Sequence, residues 1–112
     1  NRYPDPKCRA LRQAAARRDG VPEELLLFGN GASDLIDRFL RALRPRRALL
    51  LAPTFSEYRR GLEGIDCEIE EFFLDKENNF TISERILNAV RPGVDLVFLC
   101  DPNNPTGLLI DP

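Results

Sequence analysis

Four short apolar runs punctuate the chain: Leu25 to Phe28, Ala48 to Ala52, Cys67 to Leu74 and Val94 to Cys100. Each has the length of a strand, and the third alternates only imperfectly. Between them the apolar period changes. Residues 7 to 19 are rich in strong helix formers, and Gly20 follows where a helix stop belongs. From Asp34 the apolar positions Leu35, Ile36, Phe39, Leu40 and Leu43 recur at helical spacing until Arg44-Pro45. Ser56 to Leu62 reads as a third helix. Asp75 to Asn79 is a polar turn. Thr81 and Glu84 have the spacing of a capping box, which predicts a fourth helix from Ile82 to about Val90, closed by Pro92-Gly93.

Strands alternating with helices predict an α/β fold, three layers deep, with a mainly parallel sheet and helical crossovers. Short apolar strands suit a sheet covered on both faces. In such sheets ligands bind beyond the carboxyl ends of the strands. Three loops follow strands and are expected on that rim: Gly29 to Ser33, Pro53 to Phe55, and Asp101 to Gly107.

Composition narrows the classes. A 112-residue chain with 43% hydrophobic and 30% charged residues suits one soluble domain. A formal charge of −2 gives no general attraction to nucleic acid. No apolar stretch approaches the ~20 residues that span a bilayer, so no membrane is expected. Cys8, Cys67 and Cys100 show no CxxC spacing, which points to a reducing, cytoplasmic setting without structural zinc. Histidine is absent, and with it the usual metal ligand and general base. Both ends look cut, so residues 1–112 read as part of a longer protein.

The rim loops carry the candidate chemistry. Gly29-Asn30-Gly31-Ala32-Ser33 opens a helix, and glycines beside a helix N-terminus can cradle a phosphate. An ordinary strand-to-helix turn has the same look. Phe55 follows Pro53-Thr54 and could stack on a flat ring or simply fill the core. In "DPNNPTG" two prolines bracket two amides, and the stiff backbone can aim Asn104 at a ring oxygen; an Asx turn is the plain reading. A ligand with a phosphate arm, an aromatic ring and a ring oxygen satisfies all three. Pyridoxal 5′-phosphate has that shape, and so do some nucleotides.

These segments carry a resemblance. "NRYPDP", "GNGASDLI", "PTFSEY" and above all "DPNNPTG" resemble the large domain of fold type I pyridoxal-phosphate enzymes, the class I/II aminotransferase superfamily. "NRYP" and "GNGAS" are similar to its histidinol-phosphate aminotransferase branch. "YPDP", "RPRRALLLAPTFSEYRRGL", "CEIEEF" and "LCDPNNPTGLL" look most like the threonine-phosphate decarboxylase group within it. The resemblance implies pyridoxal phosphate as cofactor and a phosphorylated amino acid as substrate. It implies decarboxylation of L-threonine O-3-phosphate to aminopropanol phosphate, for cobalamin, or transamination of histidinol phosphate. It places the cofactor phosphate on the amides of Ala32 and Ser33, with Gly31 permitting the approach. It places Phe55 on the ring and Asn104 on the ring oxygen, and sends the Tyr3 hydroxyl to the cofactor of the partner subunit in a homodimer. The lysine that anchors the cofactor, its pyridine-nitrogen partner and the substrate-holding arginines are expected later in the family's sequence, so residues 1–112 alone are expected to be inactive. A non-catalytic nucleotide-binding α/β module is the reading from another class, and it leaves the Pro-Asn-Asn-Pro loop without a role.

Overall fold

The computed structural model describes residues 3–110. Contacts divide the chain into two compact units, Asn1–Leu35 and Ile36–Pro112.

In the first unit, helix α1 spans Arg9–Asp19. Its start is held by Asp5, whose carboxylate accepts the backbone N–H groups of Lys7 and Arg9 at 3.1 and 3.0 Å. Gly20 ends it in the left-handed region, φ 67°, as the sequence predicts. The run Leu25 to Phe28 departs from expectation. A 3₁₀ turn occupies Glu23–Leu25, Leu26 is extended, and residues 26–28 pair with no strand among the described residues. An extended segment becomes a strand only when a neighbour takes its N–H and C=O groups. Here the Arg12 guanidinium takes the Leu26 carbonyl at 2.6 Å, and at 2.9 Å that of Glu23 in the preceding turn.

Helix α2 spans Ala32–Leu43 and contributes Leu40, fully buried, to the core of the second unit. That unit is built on three parallel strands: β1 Arg47–Ala52, β2 Glu68–Phe73 and β3 Leu96–Phe98, in the order β2-β1-β3. Helix α3, Ser56–Glu63, makes the crossover from β1 to β2. Strand β1 is central, pairing from Arg47↔Glu68 to Ala52↔Phe73 on one side and from Ala48↔Leu96 to Leu50↔Phe98 on the other. Its burial agrees: Ala48, Leu49, Leu50 and Leu51 are all 2% exposed or less. Ala48 and Leu50 pack with Leu40, Leu62 and Cys67 on the helix-covered face. Each fully buried leucine contributes roughly 1.5–3 kcal/mol of hydrophobic transfer.

Strand β2 corrects the expectation of strands buried on both faces. It carries Glu68, Glu70 and Glu71 and lies at the edge of the described sheet, so its carboxylates meet arginines at the surface, Arg47 at 3.0 Å from Glu68 and Arg91 at 2.7 Å from Glu70. Strand β3 is shorter than its apolar run. It stops at Phe98, and Leu99 is half exposed. The fourth helix is absent: only a 3₁₀ segment, Glu84–Asn88, forms, and no side chain caps it. The Thr81 hydroxyl is already donated to the Asn78 carbonyl. Leu87 and Val90 remain exposed, so no buried apolar face supports propagation of an α-helix. No helix among the described residues is long and apolar enough to cross a membrane.

Candidate functional site

The parallel pairing of β1 with β3 puts the segments after both strands at one end of the sheet. Residues 53–55 and 101–108 are therefore neighbours, as the rim argument requires. Asn103 joins them. It is 3% exposed, and its side-chain amide donates to the Pro53 carbonyl at 3.1 Å and to Thr106 Oγ1 at 3.1 Å. Its Oδ1 accepts the Thr54 hydroxyl at 3.2 Å. The Pro53 carbonyl can only accept, which fixes the way the amide is turned. The backbone closes the same loop, with Asn103 N donating to Leu108 O at 2.8 Å and Gly107 N to Asn103 O at 2.6 Å. Pro53, Pro102 and Pro105 each follow a cis peptide bond.

Asn104 stands beside this hub, and its surroundings are the opposite: it is exposed. The two amides of the motif thus divide between inside and outside. Sequence reasoning singled out Asn104 and passed over Asn103. The signal was present: the motif has twice the amides that one ligand contact needs, and no φ restraint explains the surplus.

Phe55 precedes α3 in extended conformation, φ −61° and ψ 120°, and is half-buried. Its ring meets Tyr58 edge-on, with centroids 5.6 Å apart and planes at 88°. Tyr58 in turn stacks on Phe98 of β3 at 4.3 Å and 12°. Tyr58 was missed in the sequence; it lies on α3, three positions after Phe55. Burial, with a hydrogen bond to the Cys100 side chain, pushes the Tyr58 phenol up to about 12. Beside the same rim, Pro53, Asn79, Phe80, Pro105, Thr106 and Leu108 line an open depression of about 400 Å³.

The third loop belongs to the first unit. Gly29 to Ser33 leads into α2 without a paired strand before it, so the strand-loop-helix setting expected for it lacks its strand. The loop itself has the anticipated form. Gly31 sits at φ 85°, where a side chain is strained, and α2 begins at Ala32. The first-turn amides of a helix have no carbonyl within the helix to bond, and those of Ala32 and Ser33 belong to that turn. Asp34 takes the Asn30 N–H at 2.8 Å and shapes the loop. A Cβ on Gly29 would lie 2.7 Å from both Asp34 Oδ2 and Leu35 Cδ2, so this glycine is required by space. Tyr3, also in the first unit, is 99% exposed.

Comparison with known proteins bears on these loops. The family model for aminotransferase class I and II matches residues 1–112. Threonine-phosphate decarboxylase of Salmonella typhimurium is 44% identical over 108 residues, covering 96% of this chain and 30% of that protein. Histidinol-phosphate aminotransferase of Lactiplantibacillus plantarum is 37% identical over 113 residues, again 96% of this chain and 30% of that protein. Among solved structures, L-threonine-O-3-phosphate decarboxylase from Porphyromonas gingivalis superposes with a TM-score of 0.83 at 30% identity, covering 97% of this chain and 33% of that one. The chain thus spans about 30% of the length of the curated relatives it matches.

Proposed function

The chain belongs to the class I and II aminotransferase family, and from that premise we propose that the whole protein is a pyridoxal-phosphate enzyme that decarboxylates L-threonine O-3-phosphate. The observation that carries the choice is the 44% identity to a threonine-phosphate decarboxylase, against 37% to a histidinol-phosphate aminotransferase over the same share of the chain.

Each loop, taken by itself, suits one part of the cofactor. Gly31 at φ 85° and the open space around its Cα leave room for an anion against the first turn of α2. The amides of Ala32 and Ser33 would hold the phosphate. The half-buried ring of Phe55, backed by Tyr58, would lie on the pyridine ring. The exposed amide of Asn104 would donate to the ring oxygen, and a neutral donor stabilises that oxygen's negative charge without adding a charge of its own. Tyr3, fully exposed, would reach the cofactor phosphate of a partner subunit in a homodimer. When bound, pyridoxal phosphate supplies an electron sink for cleavage of a bond at the substrate's α-carbon. What these residues contribute is the tilt and register of that sink. The lysine anchor and the groups that hold the substrate's carboxylate and phosphate fall to the remainder of the whole protein.

A second reading, transamination of histidinol phosphate, is favoured by the 37% identity to an enzyme of that name. The test gives the whole protein each substrate in turn. Release of carbon dioxide and aminopropanol phosphate from threonine phosphate is expected, with no amino transfer from histidinol phosphate to a keto acid. Amino transfer without decarboxylation would reverse the assignment.

A further inference from the structure

We propose that Asn103 is a positioning residue: it clamps the loop carrying Phe55 to the loop carrying Asn104, so that ring stacker and ring-oxygen donor are held as one unit. This rests on the reading above, in which Phe55 and Asn104 meet the cofactor.

Four observations converge on the clamp. Asn103 is the one buried polar side chain among the described residues. Its bonds run in both directions: to Pro53 and Thr54, which lead directly into Phe55, and to Thr106, which lies in its own loop. Three of the four hydrogen bonds that an amide side chain can make are formed, so its desolvation is offset. The backbone bonds of Asn103 to Leu108 and from Gly107 then fix the segment from which Asn104 projects.

The alternatives are poorer. The sheet's own hydrogen bonds tie β1 to β3 only as far as Leu50↔Phe98. Beyond that point the ladder stops, and Leu99 is half exposed. The Asn103 side chain restores the link past the end of the ladder. Without it, the spacing between Phe55 and Asn104 would rest on two loops moving separately. An aspartate in this place would keep the shape but lose both donated bonds and bury a charge. A hydroxyl has one proton to donate where the amide donates two.

The test uses the whole protein, freed of cofactor and titrated with pyridoxal 5′-phosphate. Two quantities are read: the dissociation constant, and the pH midpoint of the bound cofactor's absorbance. Asn104→Ala sets the reference. Losing its donor leaves the ring oxygen more basic, so the oxygen holds its neighbouring proton more tightly and the midpoint rises. Asn103→Asp removes both bonds that the amide donates, Thr54→Val removes the one that it accepts, and each is expected to weaken binding roughly three- to tenfold. Both should move the midpoint in the same direction as Asn104→Ala. Thr54→Ser keeps the hydroxyl and should match the unaltered protein. If both clamp variants lower only the melting temperature, with dissociation constant and midpoint unchanged while Asn104→Ala shifts the midpoint, Asn103 is structural and the proposal falls. If Asn104→Ala leaves the midpoint in place, the cofactor reading fails, and the clamp proposal with it. Should Asn103→Asp not fold, Thr54→Val decides alone, being a near-isosteric change at a half-buried position.

Discussion

At the residue scale, two adjacent asparagines show how burial assigns different work to one chemical type. Asn103 spends its amide inside the protein, and Asn104 keeps its amide in solvent. The two tyrosines show the same contrast. Tyr3 is exposed and Tyr58 is sandwiched between Phe55 and Phe98. The Tyr58 phenol is raised to about 12, first by burial and then by its bond to Cys100. Folding therefore favours the protonated phenol. That contribution is complete below the ordinary tyrosine range, about 10, and is lost as pH rises through about 12. An ultraviolet titration should show one tyrosine ionising near 12, and Tyr58→Phe should abolish that step. A single step near 10 in the folded protein would contradict the packing described.

At the scale of elements, close approach matters more than propensity. Gly61 lies inside α3, where glycine costs about 1 kcal/mol relative to alanine. Propensity alone predicts that Gly61→Ala stabilises. The structure predicts the reverse, because the new Cβ would lie 2.7 Å from Leu40 Cδ1 in the core and 3.5 Å from Ile36 Cγ2. Overpacking of this kind costs ~1–3 kcal/mol, so chemical denaturation should find a net loss. A gain of about 1 kcal/mol would show that α2 and α3 are less tightly packed.

The entry to β3 is an electrostatic counterpart. Asp95 accepts the backbone N–H groups of Arg46 at 2.7 Å and Arg47 at 3.2 Å, which tie the start of β3 to the start of β1. Those two bonds hold its carboxyl below the ordinary carboxylate range. The bonds favour the ionised form, so their contribution is present above about pH 4 and is lost as pH falls through the depressed value. Asp95→Asn should flatten the acid limb of the stability profile. The melting temperature, followed downward from pH 6, measures this. An unchanged slope would remove Asp95 from the account.

At the scale of the molecule, the chain contains a complete βαβ unit, and it spans about 30% of its relatives' length. Its two lysines, Lys7 and Lys76, lie in exposed turns. Residues 1–112 alone are therefore expected to turn over neither threonine phosphate nor histidinol phosphate. Incubation with pyridoxal phosphate followed by borohydride reduction should give scattered, substoichiometric adducts by mass spectrometry. One stoichiometric adduct accompanied by turnover would overturn this.

The local pattern alone was enough for α1 with its Gly20 stop, for α2 and α3, and for the buried run of β1. Each of these is decided by neighbours in the chain or by apolarity strong enough to force burial. The motif "DPNNPTG" likewise marked its loop, because its chemistry is written in consecutive residues. The elements that failed to appear depend on what lies beside them. Leu25 to Phe28 begins in a 3₁₀ turn and then joins no ladder, since backbone groups pair only with a neighbouring strand. Residues 82–90 have helical spacing yet form only a 3₁₀ segment, since Leu87 and Val90 find nothing to bury against. The inward turn of Asn103 was also a tertiary decision. Its partners Pro53 and Thr54 are fifty and forty-nine residues away in the chain, and only the parallel pairing of β1 with β3 brings them within hydrogen-bonding distance.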